Sequence, residues 1–170
     1  MGLTFLVGGA RSGKSTLALR LARESGRPVV FVATSEPRDE EMIERIERHR
    51  RERSPDWSTV EAPLDLAEAL AAAPEEACVV LDCLTLWTSN ALEAGWSDAA
   101  VARAAEGVAR LAAARIAPTV VVSNEVGLGV VPDTPLGRRY RDVHGRVNAI
   151  FAAAAERACL VVAGRALELR

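Results

Sequence analysis

Eight residues near the start of the chain, Gly8 to Ser15, read G-G-A-R-S-G-K-S. They match the spacing G-x-x-x-x-G-K-[ST], with the apolar run LTFLV before them and a helical pattern after, which is the context a phosphate-binding loop requires. Glycine lets such a loop curl until its backbone N–H groups face inward, and the helix that follows adds partial positive charge. Gly8, Gly9, Ala10, Arg11, Ser12, Gly13, Lys14 and Ser15 are therefore expected to hold a nucleoside triphosphate. Lys14 would reach the outer phosphates and the Ser15 hydroxyl would ligate Mg²⁺. Lys14 is also the sole lysine among 21 lysines and arginines. A compact ammonium on a flexible stem suits a point contact with phosphate better than a planar guanidinium.

Asp82 closes the apolar run ACVVLDC, where a second metal-side carboxylate is expected beside the phosphate loop; helix capping is its alternative role. His49 stands in ERIERHRRER, a charged segment that reads as a solvated helix face. The same arginines could grip a triphosphate and leave the imidazole as a nucleophile. His144, in RDVHGRVN, is read as structural, with no partner apparent in the pattern. Thr34, Ser35 and Glu36 follow one apolar run and Asn124 and Glu125 another. Both sets belong at the sheet edge where open α/β folds bind ligands, unless they serve only as turns.

The elements that must position these groups alternate. LTFLV, PVVFVA, CVVLDC, PTVVVSN and CLVVAG read as buried strands. Between them, SGKSTLALRLARESG, DEEMIERIERHRRER, LDLAEALAAA, SDAAVARAAEGVARLAAARIA and GRRYRDVHGRVNAIFAAAAER read as helices. The alternation predicts an α/β fold, a mainly parallel sheet flanked by helices in the manner of P-loop NTPases of the RecA-like type. The ending ALELR adds a short edge strand, and GLGVVPDTPLG is the most conspicuous long loop.

A length of 170 residues suits one domain over 1–170. With 49% hydrophobic residues, 26% charged and a formal charge of −2, no global field favours nucleic acid, so any anion site must be local. Cys78, Cys83 and Cys159 lack metal or redox spacing and read as reduced core thiols. No apolar stretch approaches the ~20 residues of a membrane span, and no leader-like segment is seen, so a cytoplasmic location is expected. On these residues alone, a small-molecule or nucleotide kinase without a covalent step, and a regulatory nucleotide-binding module, both remain open.

The chain resembles the bifunctional adenosylcobinamide kinase and adenosylcobinamide-phosphate guanylyltransferase family over nearly its whole length. The likeness rests on GGARSGKS, on VATSEPRDEEMIERIERHR followed by ERSPDW and TVEAP, on SNEVGLGVVPDTPLGRRYRD, and on GRVN with a final LVVAG. The resemblance implies phosphorylation of the aminopropanol hydroxyl of adenosylcobinamide with ATP or GTP. It further implies transfer of GMP from GTP onto that phosphate through a guanylylated histidine, here His49. It assigns guanine nucleotide contacts to the phosphate loop, Thr34, Ser35, Arg50, Arg51, Glu52, Arg53, Glu61 and Asp82, and the chain to a homotrimer; Mg²⁺ at Ser15 and Asp82 follows from the loop motif and the strand end. Glu125 is a candidate base for the hydroxyl, and GLGVVPDTP or a neighbouring subunit a candidate wall for the corrinoid.

Overall fold

The computed structural model describes residues 2–38 and 40–169, and at positions 41 and 45 the backbone alone. The first residue of the second expected helix, Asp39, and the last of the expected edge strand, Arg170, lie outside the described residues. Strands are β1 (Leu3–Gly8), β2 (Val29–Ala33), β3 (Ser58–Glu61), β4 (Cys78–Asp82), β5 (Thr119–Asn124), β6 (Arg157–Val162) and β7 (Arg165–Leu169). Helices are α1 (Lys14–Glu24), α2 (Glu40–Arg51), α3 (Leu66–Ala72), α4 (Leu84–Glu93), α5 (Asp98–Ala114) and α6 (Pro135–Ala154). They build one sheet in the order β3-β2-β4-β5-β1-β6-β7. All neighbours run parallel except β7, which returns antiparallel along β6.

The continuous apolar runs have a simple cause: the sheet is covered on both faces, so successive side chains of one strand enter different cores. Leu3, Phe5 and Val7 join Val30, Val32, Leu81 and Val121 on the face packed by α3, α4, α5 and α6. Leu6, Val29, Phe31, Val80, Val120 and Val122 face α1 through Ala18, Leu19 and Ala22. Cys78 and Cys159 belong to the second core, and all three cysteines are free thiols. Burial pushes the Cys83 thiol up to about 11, so it is not a ready nucleophile.

Two elements, β3 and α4, are missing from the pattern read in the sequence, and a third, α6, starts earlier than expected. Strand β3 is exposed at all four positions, so STVE carries no burial signal. It exists because its backbone pairs with Val30 to Ala33 at the sheet edge. Helix α4 directly follows Cys83, and six of its ten residues, including Trp87 and Leu92, are buried; a helix apolar on most sides merges with the preceding strand in any periodicity reading. Helix α6 starts at Pro135, two residues ahead of the expected start, because Thr134 caps it by accepting from Gly137 N–H. Among the described residues no helix is long and apolar enough to cross a membrane.

Candidate active site

The carboxyl ends of β1, β2, β4 and β5 meet at one edge of the sheet, and the Gly8–Ser15 segment turns from β1 into α1 there. The turn is tightly braced. A Cβ at Gly8 would lie 2.2 Å from the Val161 carbonyl oxygen of β6, so only glycine allows the two backbones to approach. Gly13 has φ 99°, a left-handed conformation that glycine adopts without penalty. From the other side the turn after β6 supports the loop, Gly164 N–H donating to Ser12 O at 2.9 Å. Lys14 is 6% exposed, and its ammonium donates to Gly9 O at 2.6 Å and Ser12 Oγ at 3.3 Å. A buried ammonium at the mouth of a phosphate loop is placed to take an anion.

Across from the loop, β4 ends in Asp82. Ser15 Oγ donates to Asp82 Oδ2 at 3.3 Å, which joins the two groups expected to share a cation. The His49 Nδ1 atom of α2 lies 4.0 Å from the same carboxylate oxygen. Lys14, Ser15, His49, Asp82 and Asn124 line one open cleft of about 360 Å³, large enough for a nucleotide's phosphates and sugar. Among the described residues no group of three or more His, Cys, Asp or Glu could hold a metal. A hydroxyl and one carboxylate suit Mg²⁺, which prefers oxygen ligands and completes its shell with water and substrate phosphate.

Helix α2 leans over this cleft on side-chain contacts. Met42, Ile46, His49 and Arg53 face Phe31, Cys83 and Leu86 across a small gap. The Arg53 guanidinium lies over the Phe31 ring, 3.5 Å from its centre, and burial lowers its pKa from the ordinary value. Its Nε is buried with no partner among the described residues. Arg50 pairs with Glu61 of β3, tying the end of α2 to the sheet edge. Glu52 also lines the cleft, and its carbonyl accepts from Arg23 at 2.7 Å; Arg51 is exposed.

Ser35 lines the gaps beneath α2. Thr34 does not join them: it is fully buried. Its hydroxyl donates to Cys83 O at 2.8 Å and accepts from Cys83 N–H at 2.9 Å. It braces the end of β4 and so the carboxylate of Asp82.

His144 has the partners that its sequence context concealed. It is fully buried, its ring stacked on Tyr140 with centroids 5.6 Å apart. Nε2 lies 3.0 Å from Asn124 O and 3.1 Å from Ser123 Oγ, and Nδ1 lies 3.0 Å from Thr88 Oγ1. A carbonyl can only accept, so Nε2 carries a proton toward Asn124 O; the Thr88 hydroxyl beside Nδ1 also reaches Leu84 O at 2.9 Å. Burial lowers its pKa, which keeps the ring neutral. Partners spread over α4, β5 and α6 leave no local signature in RDVHGRVN.

A phosphate loop after β1, a carboxylate at the end of β4 and a strand inserted between them define the class: the chain has the fold of a P-loop NTPase. Solved structures agree at the level of fold. The RadB recombinase matches with a TM-score of 0.51 at 17% identity over 94% of this chain and 73% of its own. The ATPase EscN of the enteropathogenic E. coli type III secretion system matches with a TM-score of 0.59 at 14% identity over 95% of this chain and 43% of its own.

Residues 4–169 match the model of the family described as cobinamide kinase / cobinamide phosphate guanyltransferase, and the chain belongs to that family. It is 44% identical over 173 residues to the bifunctional adenosylcobalamin biosynthesis protein CobP of Pseudomonas aeruginosa, covering 97% of this chain and 95% of the relative. It is 40% identical over 182 residues to the protein of that description, CobU, from Escherichia coli. The Salmonella typhimurium CobU is 37% identical over 182 residues; each of the two alignments covers 99% of both partners.

Proposed function

We propose that the protein carries out both reactions named by its family, phosphorylation of a cobinamide and guanylyl transfer to the resulting phosphate, and that Lys14 and His49 divide the work. The observation that carries this division is that the histidine of α2 and the lysine of the phosphate loop line the same cleft. In the kinase step the aminopropanol hydroxyl attacks the terminal phosphorus of ATP or GTP. The nucleoside diphosphate leaves with the bond's electron pair, and the hydroxyl proton is released, with Glu125 the candidate acceptor. Loop amides from Gly8 to Ser15 and the Lys14 ammonium hold the polyphosphate and offset the charge that builds on the leaving group. Mg²⁺, held by Ser15 and Asp82, would neutralise phosphate charge and align the polyphosphate.

Guanylyl transfer asks for a different phosphorus. A ring nitrogen of His49 attacks the α-phosphorus of GTP with its lone pair, a P–N bond forms, the P–O bond to the β-phosphate breaks, and pyrophosphate leaves. An oxygen of cobinamide phosphate then displaces the histidine, so the P–N bond breaks and the ring is restored. A covalent relay divides one hard displacement into two easier ones. Ser35, Arg50, Arg51, Glu52, Arg53 and Glu61 are proposed to hold the nucleotide around α2, while Thr34 would act through Asp82. The exposed apolar residues Leu128, Val130, Val131 and Leu136 support a wall for the corrinoid or for a neighbouring subunit of a homotrimer. A cytoplasmic location is in keeping with these substrates.

The test is incubation with GTP labelled at the α-phosphate. Acid-labile GMP on the protein, discharged to cobinamide phosphate on its addition, is expected. Transfer to the corrinoid without any protein-bound GMP would exclude the relay.

A further inference from the structure

Strand β5 lies between the strand that ends at Asp82 and the strand that leads into the phosphate loop. Its side chains alternate: Val121 and Ser123 turn toward α4 and α6, while Val120 and Val122 turn toward α1. Asn124 continues the second row. It is opposite Gly8 in register and lines the cleft with Lys14, Ser15 and Asp82.

Among the described residues, the hydrogen bonds of Asn124 beyond the strand ladder run through its main chain. Its N–H donates to Thr85 Oγ1 at 2.9 Å. Its carbonyl accepts from His144 Nε2 and from Asn148 Nδ2, each at 3.0 Å. The holders are themselves held, because Ser123 Oγ donates to Asn148 Oδ1 at 2.6 Å and Tyr140 donates to Thr85 O at 3.1 Å. Next in the chain, Glu125 N–H donates to Gly8 O at 3.0 Å. Side chains from α4 and α6 thus clamp both main-chain groups of one residue, and its neutral carboxamide, with two N–H donors, is left to the cleft. Preorganised donors in a water-poor anion site are worth most where charge shifts during reaction.

The loop amides would cradle the inner phosphates of a polyphosphate and Lys14 would reach the outer ones, so Asn124, which lines the same cleft as Lys14 and Asp82, is placed toward the outer end. Asp82 is negative and needs a cation between itself and phosphate. Asn124 needs none. We propose that the Asn124 carboxamide donates to the terminal phosphate of a bound nucleoside triphosphate and distinguishes it from a diphosphate, with His144 as a positioning residue acting through the Asn124 carbonyl. The proposal rests on the phosphoryl-transfer reading above and extends it to residues outside the phosphate loop.

The experiment is calorimetric titration of the whole protein with GTP and with GDP in the presence of Mg²⁺. Asn124→Ala is expected to weaken GTP roughly tenfold, the size of one well-placed hydrogen bond to a charged group, with GDP changed less than twofold. Asn124→Asp should weaken GTP further. Equal weakening of both nucleotides, or an unchanged ratio, would overturn the assignment. His144→Ala should lower the same ratio part of the way, and should have no further effect in an Asn124→Ala background. An effect of His144→Ala on the ratio that persists in that background would refute the positioning role. Asn148→Ala removes the other donor to the Asn124 carbonyl and is expected to act in the same way, so the clamp is tested even if the His144 variant does not fold. Because the ratio is read on nucleotides alone, it stands or falls separately from the corrinoid reaction.

Discussion

The Asp82 carboxylate is shared: one oxygen, Oδ2, accepts from Ser15 Oγ at 3.3 Å and lies 4.0 Å from His49 Nδ1. The group placed to share a cation with the phosphate loop therefore also lies beside the candidate nucleophile. It faces the Nδ1 side of the ring, so on the proposed relay Nε2 is the nitrogen left for attack.

Separate residues for separate phosphorus atoms should give separable variants. His49→Ala is expected to reduce protein-bound GMP and guanylyl transfer by roughly a thousandfold or more, as loss of a covalent nucleophile does. It should spare most of the kinase step. Labelled GTP and labelled ATP, followed in parallel, check this; acid-labile GMP remaining on the variant would remove His49 from the role.

Lys14→Ala should behave in the opposite order. Loss of one charged donor from a preorganised phosphate site costs about a hundredfold in turnover, and the kinase step carries that loss in full. Guanylyl transfer falls only so far as GTP binding falls, so raising GTP should restore much of it. A kinase rate within a few-fold of the unaltered protein would contradict the assignment.

Asp82→Asn keeps the shape of the carboxylate and removes its charge. If Asp82 and Ser15 hold Mg²⁺, the concentration of Mg²⁺ needed for half-maximal activity should rise by at least roughly tenfold in both reactions, since even outer partners of a metal site carry effects of that size. Titration of Mg²⁺ at saturating nucleotide measures it.

The parts legible in the sequence share a property: their signal is local or repeats along one element. The phosphate loop is a contiguous motif, and five strands announce themselves because both faces of the sheet are buried. Asp82 stands beside Ser15, where its position at a strand end puts it. What escaped depends on contacts distant in sequence. β3 has no buried residue and is defined by pairing with β2. Thr34 looks like a cleft residue after a strand, yet its hydroxyl is engaged with Cys83, 49 residues away. His144 gains its meaning from Thr88, Ser123 and Asn124, on two other elements.

Two adjacent glycines should differ sharply in what they tolerate. At Gly8 a methyl group would meet a backbone oxygen 2.2 Å away, whereas at Gly9 nothing lies within 4 Å. A clash with backbone cannot be relieved by turning a side chain, so Gly8→Ala should cost about 1–3 kcal/mol or more. Gly9→Ala should change stability by less than about 1 kcal/mol. Urea unfolding of the two variants compares them, and equal midpoints would show that β1 and β6 do not approach as described.

Buried neutral, His144 should also leave a mark on the pH dependence of stability. Burial is the main cause of its lowered pKa, and the Asn124 carbonyl and the Glu125 charge oppose it only in part. The unfolded chain therefore binds a proton near the ordinary histidine value of ~6.5, while the folded protein does so only at lower pH. Its contribution is complete above that value and is lost as pH falls below it, with a slope of up to about 1.4 kcal/mol per pH unit until the folded form also protonates. His144→Gln removes the titration and keeps a donor for the Asn124 carbonyl. The difference in unfolding free energy between the two proteins should thus be constant from pH 8 to 7 and shrink as pH falls from about 6.5 toward 5. Other groups titrate equally in both and cancel. A difference independent of pH over that range would mean that the histidine is no harder to protonate in the folded protein than in the unfolded chain.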